Sequence, residues 1–168
     1  MKKYGELSEN MEDYLEVILD LEKTQKVARA KDIAARLDIQ RGSVTGGLKS
    51  LKQKGLINYE PYSFITLTAE GISIAQEITR RHSILSDFFS NVLQVDTETA
   101  DATACRMEHA IDAVTMERLV SFIDYIYTCP RTGSEWIQQF TKHCLAQGHE
   151  RETCKLCMEE CDRKFQNE

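Results

Sequence analysis

The chain has 168 residues, of which 42% are hydrophobic and 29% are charged, and this composition is typical of a globular protein with a buried core. Its two prolines and eight glycines exclude long linkers and low-complexity segments, and the absence of a long apolar run excludes a membrane span. The formal net charge is −6, which by itself argues against a nucleic acid partner.

The start of the chain and the cysteines indicate a compartment. Residues 1–6 lack the apolar core of a signal peptide, so the sequence predicts a cytoplasmic protein. Six cysteines in a reducing compartment indicate metal or redox chemistry more than disulfides.

The first predicted helix follows Ser8, a suitable N-cap residue. Its buried stripe recurs at helical spacing and consists of Met11, Tyr14, Leu15, Ile18 and Leu19. Asp13 and Glu16 lie outside that stripe, one turn apart on a common face. Two acids on a helix surface are usually solvated, so this pair alone does not identify a site.

A basic segment follows the first helix. Lys23–Lys54 contains nine Lys and Arg residues and two acids, a local charge of 9 − 2 = +7, and the remainder therefore carries −6 − 7 = −13. A basic segment within an acidic chain is typical of a DNA-binding head on a regulatory or dimerising body.

Two short helices in this segment, from Ala30 and from about Arg41, resemble a helix-turn-helix. The second would be the recognition helix, and its predicted DNA-binding residues are Arg41, Ser43, Thr45, Lys49 and Lys52. Gly46 and Gly47 weaken helix propensity and are interpreted as allowing close approach to DNA. Residues 56–67 then predict a β-hairpin, which at this place in the chain is a wing.

A long helix is predicted from Ala69 to about Leu93, and it carries His82. The next helix, starting near Asp96, carries Cys105, Glu108 and His109. On a helix, positions i, i+3 and i+4 share one face, so a thiol, a carboxylate and an imidazole would point the same way. These groups suit iron(II), manganese(II) or zinc(II), but three ligands rarely complete a site.

Another helix, with Thr115 as its predicted cap, has more apolar side chains than a short helix needs, which predicts a helix–helix contact in a homodimer. A tail helix follows Pro130, and five cysteines lie in or near this tail: Cys129, Cys144, Cys154, Cys157 and Cys161. Their spacing matches no standard zinc finger. A zinc site, an iron–sulfur cluster and plain redox-active thiols therefore remain open.

Four separated motifs resemble the diphtheria toxin repressor family of metal-dependent transcriptional repressors, which has iron-responsive and manganese-responsive members. These motifs are residues 11–16, the winged head with residues 43–45, the pair at 81–82 and Cys105-x-x-Glu108-His109. The resemblance covers about residues 8–127. The chain has no room for the family's third, SH3-like domain, and in this it is similar to the shorter manganese regulators.

The resemblance implies six metal ligands: Asp13, Glu16, His82, Cys105, Glu108 and His109. Asp13 matches the aspartate of manganese regulators, whereas Cys105 matches the thiol of iron-responsive members. The site is thus a hybrid, and the soft thiol favours iron(II) with manganese(II) as the next choice. Ser86 and Asp101 stand where iron-responsive members have a glutamate and a histidine of a second site.

The resemblance further implies a mostly α fold with three parts. Residues 1–70 would form a winged helix-turn-helix domain with a small hairpin wing, residues 71–128 a helical dimerisation and metal-binding domain, and residues 129–168 a cysteine-rich helical tail. The implied function is that of a metal-activated homodimeric repressor that binds a double-stranded DNA operator and controls metal uptake genes.

Two other functions compete with this interpretation. A regulator that senses redox state or holds an iron–sulfur cluster could use the tail cysteines. A hydrolytic metalloenzyme could use the main ligand set, but the sequence shows no distinct nucleophile–base pair, and a basic winged head would have no purpose in it. The sequence therefore predicts a protein that is not an enzyme.

Overall fold

The computed structural model describes residues 7–60, 63–129, 132 and 134–145. This part of the chain is mostly helical with one two-stranded antiparallel sheet, which confirms the predicted fold class. Its elements are α1 (Glu9–Gln25), α2 (Ala30–Arg36), α3 (Arg41–Gln53), β1 (Ile57–Asn58), β2 (Thr66–Leu67), α4 (Ala69–Asp87), α5 (Thr97–Met107), α6 (Ala113–Thr128) and α7 (Ser134–Leu145). Among these helices, none is at once long and apolar enough to cross a membrane.

Internal contacts divide the chain into two units. The first consists of Met1–Leu85 with Thr103–Ala110, and the second of Ser86–Ala102 with Ile111–Glu168. The end of α5 therefore belongs with the amino-terminal unit although it is distant in sequence. The domain boundary predicted at residue 70 falls inside the first unit and stays a prediction.

The core of the first unit forms where α1, α2 and α3 pack together. Leu15 and Ile18 of α1, Ile33 of α2, and Leu48 and Leu51 of α3 are fully buried. The pair on α1 and the pair on α3 are each spaced by three residues, which places each pair on one helix face, as the sequence predicts. Truncating one such side chain to Ala costs about 2–5 kcal/mol.

The wing is attached to the helix-turn-helix by backbone hydrogen bonds. In β1 and β2, Ile57 lies opposite Leu67. An isolated bridge pairs Ala28, just before α2, with Ile65, and its two N···O distances are 3.3 and 2.9 Å. The two strands of the hairpin therefore pair with each other, and Ile65 also pairs with the segment that leads into α2.

The two adjacent glycines of α3 have different surroundings. A Cβ added to Gly46 would meet no atom within 4 Å, whereas one added to Gly47 would lie 2.7 Å from the Tyr14 ring of α1. Gly47 therefore allows α3 to pack closely on α1. The interpretation that Gly47 allows close approach to DNA is wrong for this residue, because the aromatic ring occupies that space.

The second unit has a smaller core, formed by Val92, Ile126 and Ile137 with Phe88 packed against them. Two local expectations are corrected here. A π-helical turn at Phe88–Val92 follows α4 in place of further α-helix. Asp112, not Thr115, caps α6, because its carboxylate accepts hydrogen bonds from two backbone N–H groups of the first turn.

Candidate metal centre

The end of α5 brings Glu108 and His109 into the first unit. The helix ends at Met107, so both residues lie in the turn that follows, although the Glu108 N–H still donates to the Ala104 carbonyl at 2.9 Å. The expectation that the helix continues through residue 109 is therefore wrong. Ala100, Ala104 and Glu108 are fully buried and recur every four residues, which marks the inward face of this segment.

An aspartate from α1 meets these two residues. Asp13, Glu108 and His109 each present a donor atom, and all three atoms lie within 4.8 Å of one another. His109 Nε2 lies 3.1 Å from Asp13 Oδ1 and 3.3 Å from Glu108 Oε1. Two carboxylates and an imidazole from distant parts of the sequence therefore face a common point.

Two further predicted ligands lie next to Glu108. His82 of α4 has its Nδ1 2.8 Å from Glu108 Oε2. The charge of Glu16 acts on the Glu108 carboxyl and raises its pKa. Asp13, Glu16 and His82 are thus each linked to Glu108 or His109 by a short contact or by the effect of a charge.

The other oxygen of Glu108 supports a cation at this point. Glu108 is fully buried, and its Oε1 has no hydrogen-bond partner among the described residues. Burying a carboxylate oxygen without a partner is costly. A divalent cation held by oxygen and imidazole nitrogen donors would compensate this cost, so the residues fit a metal ion.

The ionisation of the cluster shows how closely its charges are placed. Burial, followed by the charge of Glu16, raises the pKa of Glu108 to about 7. Burial also raises the pKa of Asp13 against the opposing effect of His109. Burial would lower the pKa of His109, but its hydrogen bond to Glu12 and the charges of Glu108, Asp13 and Glu12 together raise it.

The sequence interpretation missed two residues of this cluster. Glu12 is 7% exposed, and its Oε2 lies 2.7 Å from His109 Nδ1. Arg81 is buried and donates to the Glu108 carbonyl at 3.4 Å and to Glu77 Oε1 at 3.1 Å. Glu12 lies four residues before Glu16 and shares its helix face. This spacing alone does not distinguish Glu12 from a solvated acid.

The cysteines are placed differently from the cluster. Cys105 is exposed and does not belong to the group whose donor atoms lie within 4.8 Å. Cys129 is half-buried after α6, and Cys144 belongs to α7. Cys154, Cys157 and Cys161 lie outside the described residues, so the predicted second site stays a prediction.

The predicted DNA-binding residues share one property. All of them are exposed on α3: Arg41, Ser43, Thr45, Lys49 and Lys52. Beside α3 lies an open groove of about 850 Å³, lined by Thr45 and Lys49, by Arg29 and Lys31, and by Phe64 of the wing, among others.

The groove is basic and is bordered by the wing. The Arg29 guanidinium lies 5.2 Å from the centre of the Phe64 ring, a distance that permits a cation–π contact. Lys52 is 2.6 Å from Glu60 in an exposed ion pair. The positive charge of the groove comes from three of its lining residues, Arg29, Lys31 and Lys49.

Comparisons with known proteins agree with this organisation. Residues 6–65 match the model of the iron dependent repressor N-terminal DNA binding domain, and residues 68–137 match the model of the iron dependent repressor metal binding and dimerisation domain. A helix-turn-helix-type transcriptional regulator of Methanocaldococcus jannaschii is 36% identical over 119 residues, which are 70% of this chain and 95% of that protein. The transcriptional regulator MntR of Escherichia coli O157:H7 is 40% identical over 109 residues, 65% of this chain and 70% of that protein.

A solved structure of a metal-dependent repressor is also similar to this chain. A manganese-dependent transcriptional repressor in complex with manganese superposes with a TM-score of 0.63 at 26% sequence identity. The match covers 68% of this chain and 53% of that chain, so this chain spans about half the length of the solved repressor.

Proposed function

Because the chain belongs to the iron-dependent repressor family, we propose that it is a homodimeric repressor that binds operator DNA when Asp13, Glu108 and His109 hold a divalent cation. Membership of the family makes the chain a metal-dependent transcriptional regulator rather than an enzyme. The observation that carries the site is the convergence of these three side chains around the unpartnered Oε1 of Glu108.

The ligand set would extend beyond these three residues. Glu16 acts on Glu108 through its charge, and His82 Nδ1 lies 2.8 Å from Glu108 Oε2, so both are candidates for further ligands. A bound divalent cation would neutralise carboxylates that otherwise repel one another. Without the cation, protonation would lower the negative charge of the cluster, as the raised pKa of Glu108 indicates.

We infer manganese(II) as the preferred ion, with iron(II) as the alternative. The argument for iron(II) rested on the thiol of Cys105, which is exposed and outside the group of converging donors. The three converging donors are two carboxylates and one imidazole, and donor sets rich in oxygen suit manganese(II) better than sets with a thiolate. The chain is similar to the transcriptional regulator MntR, and one similar solved structure is a manganese-dependent repressor in complex with manganese.

The coupling between metal and DNA would run through α1. Asp13 lies on α1, whose neighbouring residue Tyr14 packs against Gly47 of the recognition helix. Glu108 and His109 follow α5 and lie within residues 68–137, the segment matched by the metal binding and dimerisation model. By sharing one ion, Asp13 and His109 would fix α1 to the end of α5. In a dimer, this would bias the spacing of two recognition helices toward that of two half-sites on DNA.

The test begins with a DNA site selected from a random duplex library in the presence of manganese(II). Fluorescence anisotropy then measures the affinity of the chain for that duplex with manganese(II) and with a chelator. We expect at least about a tenfold difference, because coupling free energies between sites are typically 1–3 kcal/mol. Equal affinity in the two conditions would contradict metal activation.

Three variants identify the ligands. Asp13→Ala should abolish the response to manganese(II), since it removes one of the converging donors. Glu9→Ala is the matched control, because it removes an exposed acid from the same helix and should leave the response in place. Cys105→Ser should also retain the response. Loss of the response in Cys105→Ser would restore the thiol as a ligand and favour iron(II).

The localisation and the tail remain proposals. A DNA-binding repressor acts where the genome lies, so we infer a cytoplasmic protein. The alternative regulator based on the tail cysteines gains no support from the relatives, and elemental analysis of protein purified without added metal would test whether zinc or iron–sulfur accompanies the tail.

A further inference from the structure

The contact between Glu12 and His109 assigns a role to a residue outside the predicted ligand set. Glu12 Oε2 lies 2.7 Å from His109 Nδ1, and both side chains are almost completely buried, with 9% and 6% of their surfaces exposed. An ionised carboxylate only accepts hydrogen bonds, so a contact in which Glu12 is the acceptor assigns the proton to Nδ1. In the neutral imidazole the lone pair is then on Nε2.

The other nitrogen faces the ligands. His109 Nε2 lies 3.1 Å from Asp13 Oδ1 and 3.3 Å from Glu108 Oε1. The ring therefore has one nitrogen directed at Glu12 and the other at the point where Asp13 and Glu108 converge. This is the arrangement in which a carboxylate sets the tautomer and ring orientation of a metal-binding histidine.

We propose that Glu12 is a positioning residue that holds His109 in the Nδ1–H tautomer and so presents Nε2 to the divalent cation. This rests on the metal site proposed above. It also makes adjacent residues of α1 do two different tasks, since Asp13 supplies a ligand and Glu12 orients one. The attachment of α1 to the end of α5 would then have two connections, one through the ion and one through the Glu12–His109 hydrogen bond.

The first measurement determines the tautomer of His109 directly. Long-range ¹H–¹⁵N spectra of the chain loaded with zinc(II), a diamagnetic probe, report which ring nitrogen of His109 carries hydrogen. We expect Nδ1 protonated and Nε2 bound to the ion in the wild-type chain. A metal bound to Nδ1, or Glu12 itself acting as a ligand with the ring displaced, would overturn the proposal.

The second measurement compares metal affinity in variants. Glu12→Ala should weaken manganese(II) binding by about 10- to 100-fold, the usual effect of losing an outer carboxylate partner of a ligand. Glu12→Gln retains an acceptor oxygen for the Nδ1–H without the charge, and we expect it to recover a large part of the loss. Glu9→Gln removes the same charge from an exposed position of α1 and serves as the control for simple charge loss.

The outcomes separate this proposal from the proposed function. If the wild-type chain binds no divalent ion, the metal site itself is wrong. If the wild-type chain binds the ion and Glu12→Ala binds it equally well, with an unchanged His109 tautomer, only the role of Glu12 is wrong. Urea unfolding of the metal-free variants shows whether a loss of affinity comes from a loss of fold, and Glu12→Gln provides a second variant should Glu12→Ala not fold.

Discussion

Glu108 illustrates how the surroundings of a single residue determine its chemistry. The carboxyl group is fully buried, and its Oε2 lies 2.8 Å from His82 Nδ1. Its Oε1 has no hydrogen-bond partner among the described residues. Burial and the nearby Glu16 raise its pKa to about 7. The proposed cation would compete with protons for this group, so we expect metal binding to release protons.

The raised pKa predicts how the stability of the metal-free chain depends on pH. Glu108 has a pKa of about 7 in the folded chain and about 4.5 as a reference for the unfolded chain. Between these values the folded state binds a proton that the unfolded state has released, so this contribution to stability is complete below pH 4.5 and is lost as the pH rises through 7. The pKa values of Asp13 and His109 are also raised and act in the same direction.

Urea unfolding of the metal-free chain between pH 5 and pH 8 checks this prediction. The midpoint should fall as the pH rises, and Glu108→Gln should reduce the dependence because its amide does not titrate. Manganese(II) affinity should change in the opposite sense and increase with pH. A midpoint that rises with pH over this range would contradict the assigned direction.

At the scale of the element, α1 and α3 depend on close approach. The Tyr14 ring is buried against Gly47, at a position where any larger side chain would collide with it. The same helix surface continues through Leu48 and Leu51 into the core. The recognition helix is therefore oriented by its packing on the helix that supplies Asp13.

Alanine at each of the two adjacent glycines of α3 tests this packing. Gly47→Ala should lower the free energy of unfolding by about 1–3 kcal/mol, because the added methyl group forces the Tyr14 ring or the helix to move. Gly46→Ala is the matched control. It has open space around its Cβ, so it should raise the free energy of unfolding by about 0.5–1 kcal/mol through better helix propensity.

Both free energies follow from urea titrations of the metal-loaded chain. Equal changes in the free energy of unfolding would show that helix propensity, and not contact with Tyr14, determines the effect of alanine at position 47. Anisotropy measurements on Gly47→Ala would further show whether a displaced α3 has a weaker response to manganese(II), as the route from Asp13 through Tyr14 requires.

At the scale of the whole molecule, α6 carries the apolar surface where we expect a dimer contact. Only Met116 and Ile126 of this helix are buried. Five large apolar side chains remain exposed on it: Val114, Val120, Phe122, Tyr125 and Tyr127. An apolar surface of this kind on a chain that matches a dimerisation domain indicates the contact with a second copy.

Charges placed on one face of α6 should prevent the dimer. Val120 and Tyr127 lie two turns apart on one side of the helix, and replacing both with Glu would put uncompensated charges into an apolar interface. We expect a monomer in sedimentation velocity and a large loss of operator affinity. The pair Ser121→Glu and Thr128→Glu adds the same charge one position along the helix and should remain dimeric. A dimer in both cases would place the interface elsewhere.

Local patterns were sufficient for most of the elements. Apolar spacing predicted the cores of α1 and α3, the basic segment predicted the helix-turn-helix, and short β-prone runs predicted the wing. Local patterns were less reliable at helix ends. The sequence offers both Asp112 and Thr115 as caps of α6, and the structure uses Asp112. Helix α5 ends at Met107, where the turn that carries Glu108 and His109 begins.

The amino-acid order was thus enough to indicate the helical class, the DNA-binding head and the family to which the motifs belong. The motifs indicated Asp13 and Glu108 as candidate ligands, but the place of Glu12 could not be read from them, because a buried and a solvated glutamate look identical in sequence. Folding places Glu12 and Asp13 of α1 within hydrogen-bonding distance of His109, 97 positions after Glu12, and leaves Cys105 exposed. Burial and long-range proximity make that choice, since they alone change the energy of a charge.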